Sequence, residues 1–429
     1  MITHSGFADL PISIASLPDR IGQTVTVSGW IHAVRRLAGK TFVILRDGGA
    51  LAQVVVPASP IHFTPEMVVQ ISGMVVGEPR APRGIEIHHP EVSVLASPAG
   101  PLPLSVSRPI QHTALNKRLD WAPLTLRRPE VRRWLQLADV LLSRFRAVLH
   151  ELEFVEIHTP KITAETSEGG ANVFAVDYFG QQAFLAQSPQ LYKQMMVGVF
   201  GRVFEIGPVF RAEPHDTARH LSEYTSLDVE MGFIQDHRTV MELLRRVLEA
   251  MLEKPEGKWP EPWPKMPSSP PVVHFREALA LLSDALGLDL SGEPDLSPAH
   301  EAWLGAWACE QFNSDFLFVE GYPARTRPFY THPDPTDPKY THSFDLLFRG
   351  QELVTGGQRL HLHHQYLGAM RQRGINPERF EPYLNAFAWG MPPHGGFAIG
   401  LERLIARIAG FSNIREATAF PRDMHRLEP

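Results

Sequence analysis

The chain has 429 residues, 44% of them apolar and 21% charged, the proportions of an ordinary globular protein but too many residues for one core, so two or three domains are expected. Its single cysteine, Cys309, excludes an internal disulfide and a cysteine metal cluster and suits a reducing cytoplasm; the lack of a charged-then-apolar leader and of any apolar run of about 18 residues argues against secretion and membrane spanning. The net charge of -6 is unevenly spread, because residues 1–133 hold 14 Lys+Arg against 9 Asp+Glu, a balance of +5 that leaves -11 for the remainder. A basic front part of this kind suits a polyanion such as nucleic acid.

In chain order, TVTVSGWIHAV, KTFVILRD, LAQVVV, MVVQISGMVV and GIEIHHPEVSVLA read as five short strands separated by Gly, Pro and Asp turns, which predicts a five-stranded OB-fold barrel over residues 1–104. A proline-rich connection, SPAGPLPLSVSRP, opens a linker or hinge over 105–130. Residues 131–429 form the second expected domain. It begins with a helix over 131–153, where Trp134, Leu137, Leu141, Phe145 and Leu149 recur at helical spacing. FVEIHTPKI follows as a strand, VFEIGPVF and TSLDVEMGF as a hairpin, then helices near 237–253 and 275–287, and GLERLIARIAG as a last helix. Hairpins set among helices predict an α+β domain on an antiparallel sheet flanked by helices. With no GxxxxGK[ST] and no GxGxxG, any phosphate site here is built from side chains.

Several stretches carry chemistry. The loop after VFEIGPVF holds Arg211, Glu213, His215, Arg219 and His220, a mixture suited to a phosphorylated or zwitterionic ligand. Alternation from Glu223 to Met231 puts Leu227 and Val229 on a core face and Ser226, Asp228 and Glu230 on an acidic one, whose simplest reading is a solvated surface. SFDLLFRGQELVTGGQRLH predicts a hairpin turning at Arg349-Gly350, in which Leu347 pairs with Glu352 and Asp345 stands two positions along the same face. Two carboxylates so placed suit Mg²⁺ beside a triphosphate. Arg359 lies beyond two glycines, and Arg403 lies in the first turn of the last helix, where a guanidinium can lie on a purine. QSPQLYKQ sets Ser188, Gln190 and Lys193 at the end of an apolar strand, and SEGGANVF is a glycine-containing loop with Glu168. Taken jointly, these groups fit ATP plus an amino acid.

In FVEIHTPKI, FRAE with RHLSEY, and GGFAIGLERL, the sequence resembles motifs 1, 2 and 3 of the class II aminoacyl-tRNA synthetases, in the aspartyl group of archaeal type, over nearly its whole length. The resemblance implies a homodimer with motif 1 around Pro160 at its interface, and an N-terminal OB-fold that reads the anticodon. It implies Arg211 on the α-phosphate, Glu213 near the adenine, Arg219, His220, Glu352 and Arg403 as further ATP contacts, and Asp345 with Glu352 as Mg²⁺ ligands. Glu168, Ser188, Gln190 and Asp228 match the surroundings of the substrate ammonium, and Lys193 with Arg359 the pair that grips the aspartate side chain.

On the barrel, Arg35, Phe42 and Gln53 match residues that stack on or bond the anticodon bases. His32 and Pro82 stand where strict members of the group resemble one another in having a tryptophan and a lysine, which predicts an enzyme that places aspartate on both tRNA(Asp) and tRNA(Asn) and depends on a tRNA-dependent amidotransferase to finish the second product. The alternatives are an asparaginyl-tRNA synthetase, which has no use for a cation at Lys193, and a tRNA-independent amino-acid-activating paralogue, which would lack the N-terminal barrel.

Overall fold

Strict alternation of apolar and polar residues closes the N-terminal strands on themselves. In the computed structural model, which describes residues 11–37, 39–57, 61–110, 113–166, 172–214 and 216–428, the chain divides into two units, Met1–Pro129 and Glu130–Pro429. In the first, β1 (Thr24–Leu37), β2 (Lys40–Arg46), β3 (Leu51–Pro57), β4 (Val68–Gly77) and β5 (Ile85–Ala96) form a closed barrel in the order β1-β2-β3-β5-β4. Val27, Ile31, Val43, Val54, Ile71 and Ile87 fill its interior. Two short helices, α1 (Leu115–Asp120) and α2 (Ala122–Thr125), occupy the segment expected as a linker. That segment is fastened to the barrel by charge. Arg46, almost wholly buried, donates twice to Glu66 at 2.9 Å, and Arg127 donates to the same carboxylate at 2.8 Å.

The second unit begins with α3 (Pro129–Glu151), whose predicted apolar stripe packs into one core with Phe204, Leu227 and Val229. There follow β6 (Val155–Glu156), a small sheet of β7 (Ile162–Thr163), β8 (Ala175–Tyr178) and β9 (Gln181–Leu185), then α4 (Gln190–Phe200), β10 (Arg202–Phe210), β11 (Glu223–Gly232) and α5 (His237–Met251). The chain continues through β12 (Val272–His274), α6 (Phe275–Leu286), α7 (Pro298–Phe312), β13 (Phe316–Glu320), β14 (Ser343–Phe348) and β15 (Glu352–Gln358). It ends with α8 (His363–Gln372), α9 (Glu381–Ala388), β16 (His394–Gly400) and α10 (Leu401–Ala409). The main sheet has eight strands in the order β12-β13-β14-β15-β16-β11-β10-β6. Its six inner strands are antiparallel as expected, while the edge strands β12 and β6 each pair in parallel.

Two local expectations are corrected. QSPQLYKQ does not close a strand: Pro189 caps α4, so Gln190 and Lys193 project from the first turn of a helix. The β14–β15 hairpin does turn at Arg349 and Gly350, both left-handed at φ 48 and 71, and Leu347 does pair with Glu352. A bulge at Leu353 then advances β15 by one residue, so Asp345 pairs with Thr355 and not with Val354; Asp345 and Glu352 still share one face, but one residue further apart than the regular register predicts.

Candidate active site

The loop 211–222 leaves β10 and returns into β11, so the residues it carries hang over the sheet beside β15, β16 and α10. There a cavity of about 400 Å³ brings together Arg211, Glu213, Arg219, His220, Glu352 and Arg403. Arg211 stands over the Tyr224 ring with its guanidinium carbon 5.7 Å from the centroid, and 3.8 Å from Glu213. His220 faces the other Glu213 oxygen at 3.4 Å and is held on its opposite ring nitrogen by Thr217 at 2.6 Å. Arg403 donates to the Glu352 carbonyl at 2.8 Å and carboxylate at 3.2 Å, which fixes the guanidinium on the cavity wall. Cations outnumber acids on this wall only slightly, so a polyphosphate would meet directed guanidinium donors and not a diffuse field.

Behind it lies a sealed group of charges. Lys193 from α4 is buried and contacts Asp228 at 3.0 Å and Glu230 at 3.3 Å, both on β11. Arg359, just past β15, donates to Glu230 at 3.1 Å, to the Gly396 carbonyl at 3.1 Å and to Gln190 at 3.5 Å. Ser226 donates to the other Asp228 oxygen at 2.6 Å. The acidic face of β11 is therefore buried and paired, not solvated. Burial alone would raise the Glu230 carboxyl, but Arg359 and Lys193 beside it hold it below the usual carboxylate range. The four charges cancel, which is what permits them in a core.

A neutral hydrogen-bonded layer supports this group. His394 Nδ1 faces the Pro392 carbonyl at 2.9 Å, so that nitrogen carries the proton and Nε2 accepts from Gln194 at 2.9 Å. Gln194 also donates to Tyr366 and accepts from Tyr383, both at 3.0 Å. Burial pushes the His394 pKa down to about 4, so the ring is neutral near pH 7.

The remaining expected residues are less concentrated. Ser188 lines a second, mostly apolar cavity of about 160 Å³ with Gln187, Leu191 and Tyr383. Glu168 lies outside the described residues. Asp345 is buried, its carboxylate taken by Arg327 at 2.7 Å and Thr355 at 2.6 Å, whereas Glu352 faces the open cavity. Among the described residues no three of His, Cys, Asp and Glu cluster as a complete metal cage. A donor set of one or two carboxylates fits an ion that takes its other ligands from phosphate and water, as magnesium does.

On the barrel, Arg35 pairs with Phe42 across β1 and β2, and Gln53 lies on β3 with its amide donating to Glu86 at 2.6 Å. His32, at a bulge in β1, accepts from Arg46 at 3.2 Å on Nδ1, and Pro82 stands apart on the β4–β5 connection.

Residues 114–424 match the family model of class II tRNA synthetases (D, K and N). The chain belongs to that family. Residues 25–95 match an OB-fold nucleic acid binding domain, the barrel. The chain is 42% identical over 425 residues to the aspartate-tRNA(Asp/Asn) ligase of Thermus thermophilus, covering 97% of this chain and 100% of that one. It is 39% identical to the aspartate-tRNA(Asp) ligase of Pyrococcus abyssi, covering 95% and 97%. Among solved structures, asparaginyl-tRNA synthetase from Pyrococcus horikoshii complexed with asparaginyl-adenylate superposes with a TM-score of 0.86 at 28% identity, covering 98% of this chain and all of that one. Members of this class use ATP as a substrate and tRNA as a partner.

Four residues of the site escaped the sequence reading of roles: Glu230, Arg327, Glu301 and His394. Glu230 had a signal, since it shares the face of Asp228 two residues on. Arg327 comes from an irregular connection, and Glu301 from α7, where it accepts from the Glu352 backbone at 3.1 Å and lies 3.5 Å from Arg219; no spacing in the sequence brings either to the cavity.

Proposed function

We propose that the chain is an aspartate-tRNA ligase that activates L-aspartate with ATP and transfers it to both tRNA(Asp) and tRNA(Asn). The observation that carries the amino-acid assignment is the buried pairing of Lys193 and Arg359 with Asp228 and Glu230. Lys193 and Arg359 keep their acid partners, and a ligand carboxylate would accept from their remaining donors, whereas an amide would turn N–H donors of its own toward two cations, which disfavours asparagine.

In this reading the substrate carboxylate attacks the α-phosphorus in line, the P–O bond to pyrophosphate breaks, and a terminal ribose hydroxyl of tRNA then displaces AMP from the aspartyl-adenylate. Arg211 offsets charge on the α-phosphate, Glu213 and His220 order the adenine end, and Arg403 stacks on the purine and reaches the γ-phosphate. Arg219 faces the triphosphate from the loop. Glu168, Ser188, Gln190 and Asp228 frame the ammonium. The chain's contribution is positioning and fixed electrostatics, with no covalent enzyme intermediate. Glu352 and Asp345 would hold Mg²⁺, which when bound neutralises phosphate charge; an ion reaching Asp345 competes with Arg327.

Residues 1–104 are the anticodon-binding domain, 105–130 the linker and 131–429 the catalytic domain. Arg35, Phe42 and Gln53 contact the anticodon, with His32 and Pro82 at the positions that govern strictness. The protein works as a cytoplasmic homodimer, a reading supported by half-exposed Val155 and Ile162 in the motif 1 stretch. Aspartyl-tRNA(Asn) passes to a tRNA-dependent amidotransferase. The test is aminoacylation of each purified tRNA with aspartate and with asparagine. Aspartate should load on both; a preference for tRNA(Asp) of a hundredfold or more, about 2.7 kcal/mol, overturns dual specificity, and loading of asparagine overturns the amino-acid assignment.

A further inference from the structure

Two cavities back onto one stretch of the connection between β13 and β14. Thr326, Arg327 and Pro328 face the cavity that holds Arg211 and Arg403, while Pro323, Ala324 and Arg325 line a separate open pocket of about 660 Å³ beside α6. That second pocket gathers three cations, Arg276 from α6 with Arg325 and Lys339 from the connection, against one acid, Glu293. All three cations are exposed. Arg325 is steadied by donating to the Gly292 carbonyl at 3.0 Å; among the described residues Arg276 and Lys339 have no ion-pair partner.

The pocket runs against the charge of its surroundings. Residues 134–429 carry 27 Lys+Arg against 38 Asp+Glu, the chain totals less those of residues 1–133, yet this concavity is net positive. Arg276 is also placed against the local preference of its helix. The first turn of α6 follows a complete capping box formed by His274 and Glu277, and the positive end of the helix dipole favours acids there, as at Glu277, and disfavours a cation. A bound anion would offset both the crowding of like charge and the dipole.

We propose that this pocket binds the sugar-phosphate backbone of RNA, namely the tRNA arm whose 3′ end must enter the neighbouring cavity. The proposal rests on the synthetase reading above, because it takes tRNA as the partner. Three long, exposed cations set on two elements around a wide opening suit consecutive backbone phosphates better than one small anion, for which converging buried donors would be expected. The shared wall gives the contact a purpose: a phosphate held at Arg325 lies next in sequence to Thr326 and Arg327, which wall the cavity where the chemistry takes place. Contacts of this kind orient the RNA without reading its sequence.

The test is the double variant Arg276→Glu with Lys339→Glu in the full chain. Neither side chain touches the amino acid or ATP site, so aspartate-dependent exchange of ATP and pyrophosphate, which needs no tRNA, should match that of the parent. KM should rise by about tenfold for tRNA(Asp) and tRNA(Asn) alike, and the slope of log affinity against log salt should fall by about two. A minihelix containing only the acceptor stem should lose affinity in the same proportion. Unchanged tRNA KM and salt slope with intact exchange overturns the proposal. So does a loss confined to whole tRNA and absent from the minihelix, or a loss of inorganic phosphate binding with tRNA binding unaltered. Absence of exchange in the parent chain would remove the synthetase reading instead, and the minihelix titration would still decide the pocket.

Discussion

Lys193 has no exposure to water and two acidic partners, so its removal acts twice. It takes away a cation that would meet the substrate carboxylate, and it leaves Asp228 and Glu230 with Arg359 alone. Lys193→Leu should therefore abolish aspartate-dependent exchange and lower stability by about 3–5 kcal/mol, while ATP binding followed by calorimetry is largely kept. Near-normal exchange in that variant removes the assignment. His394 makes a separate prediction about acid. Its folded pKa of about 4 lies below its ordinary value of 6.5. As pH falls the unfolded chain takes up the proton first, so this contribution to stability is complete above 6.5 and is lost between 6.5 and about 4. At about 1.4 kcal/mol per pH unit, the loss amounts to about 3 kcal/mol at the lower end. Denaturant midpoints measured across this window should fall less steeply in His394→Gln, and parallel slopes in the two proteins would refute the coupling.

The β14–β15 hairpin shows how one extra residue lengthens the gap between two carboxylates along the face they share. With Asp345 drawn to Arg327 and Thr355, Glu352 is the member open to the cavity, and Glu352→Gln should raise the magnesium concentration for half-maximal exchange by about tenfold or more. An unchanged magnesium titration dismisses Glu352 as a ligand. On β16, a side chain at Gly396 would collide with the Val229 carbonyl and the Glu230 carboxylate. Gly396→Ala should cost about 1–3 kcal/mol in thermal unfolding and raise the KM for aspartate, because both the β11 backbone at Val229 and the Glu230 carboxylate must shift. Much of this was legible beforehand. Alternation marked the barrel strands and both hairpins, and the stripe on α3 marked its buried face. The α4 helix was hidden because Gln187 to Gln194 continues an apolar strand without a polar N-cap, so Pro189 provides the only break. The bulge at Leu353 left no trace, since Leu353 and Val354 are both apolar and either register buries them. Only tertiary packing brings Arg327 to the cavity and Glu301 against Glu352 and Arg219 on its wall.

At the scale of the whole chain, charge and task are divided between the two units. The first unit is basic through the segment that follows its barrel, and the barrel, itself balanced in charge, carries the residues proposed to meet the anticodon; the acidic remainder carries the charged cluster and the cavity. His32→Trp combined with Pro82→Lys should shift charging toward tRNA(Asp) by a factor corresponding to about 1–3 kcal/mol, the worth of one base contact by analogy with groove readout. A ratio of initial rates on the two tRNAs that stays at the parent value would locate strictness elsewhere. A mass of twice the chain by analytical ultracentrifugation is expected for the homodimer; a monomer at assay concentrations rejects it.

The balance of Lys193, Arg359, Asp228 and Glu230 also bears on how such a pocket can change by descent. A lineage drifting from an acidic to a neutral substrate cannot simply discard a cation, for the intermediate inherits a surplus acid sealed in the core. It cannot discard an acid first without stranding a cation. The viable step is a paired replacement, or one made while water still reaches the site, so neighbouring specificities are separated by a valley that single substitutions do not cross. Reversing Lys193→Leu with a second change, Glu230→Gln, should recover stability without recovering aspartate activation, and that split is the signature of such a valley.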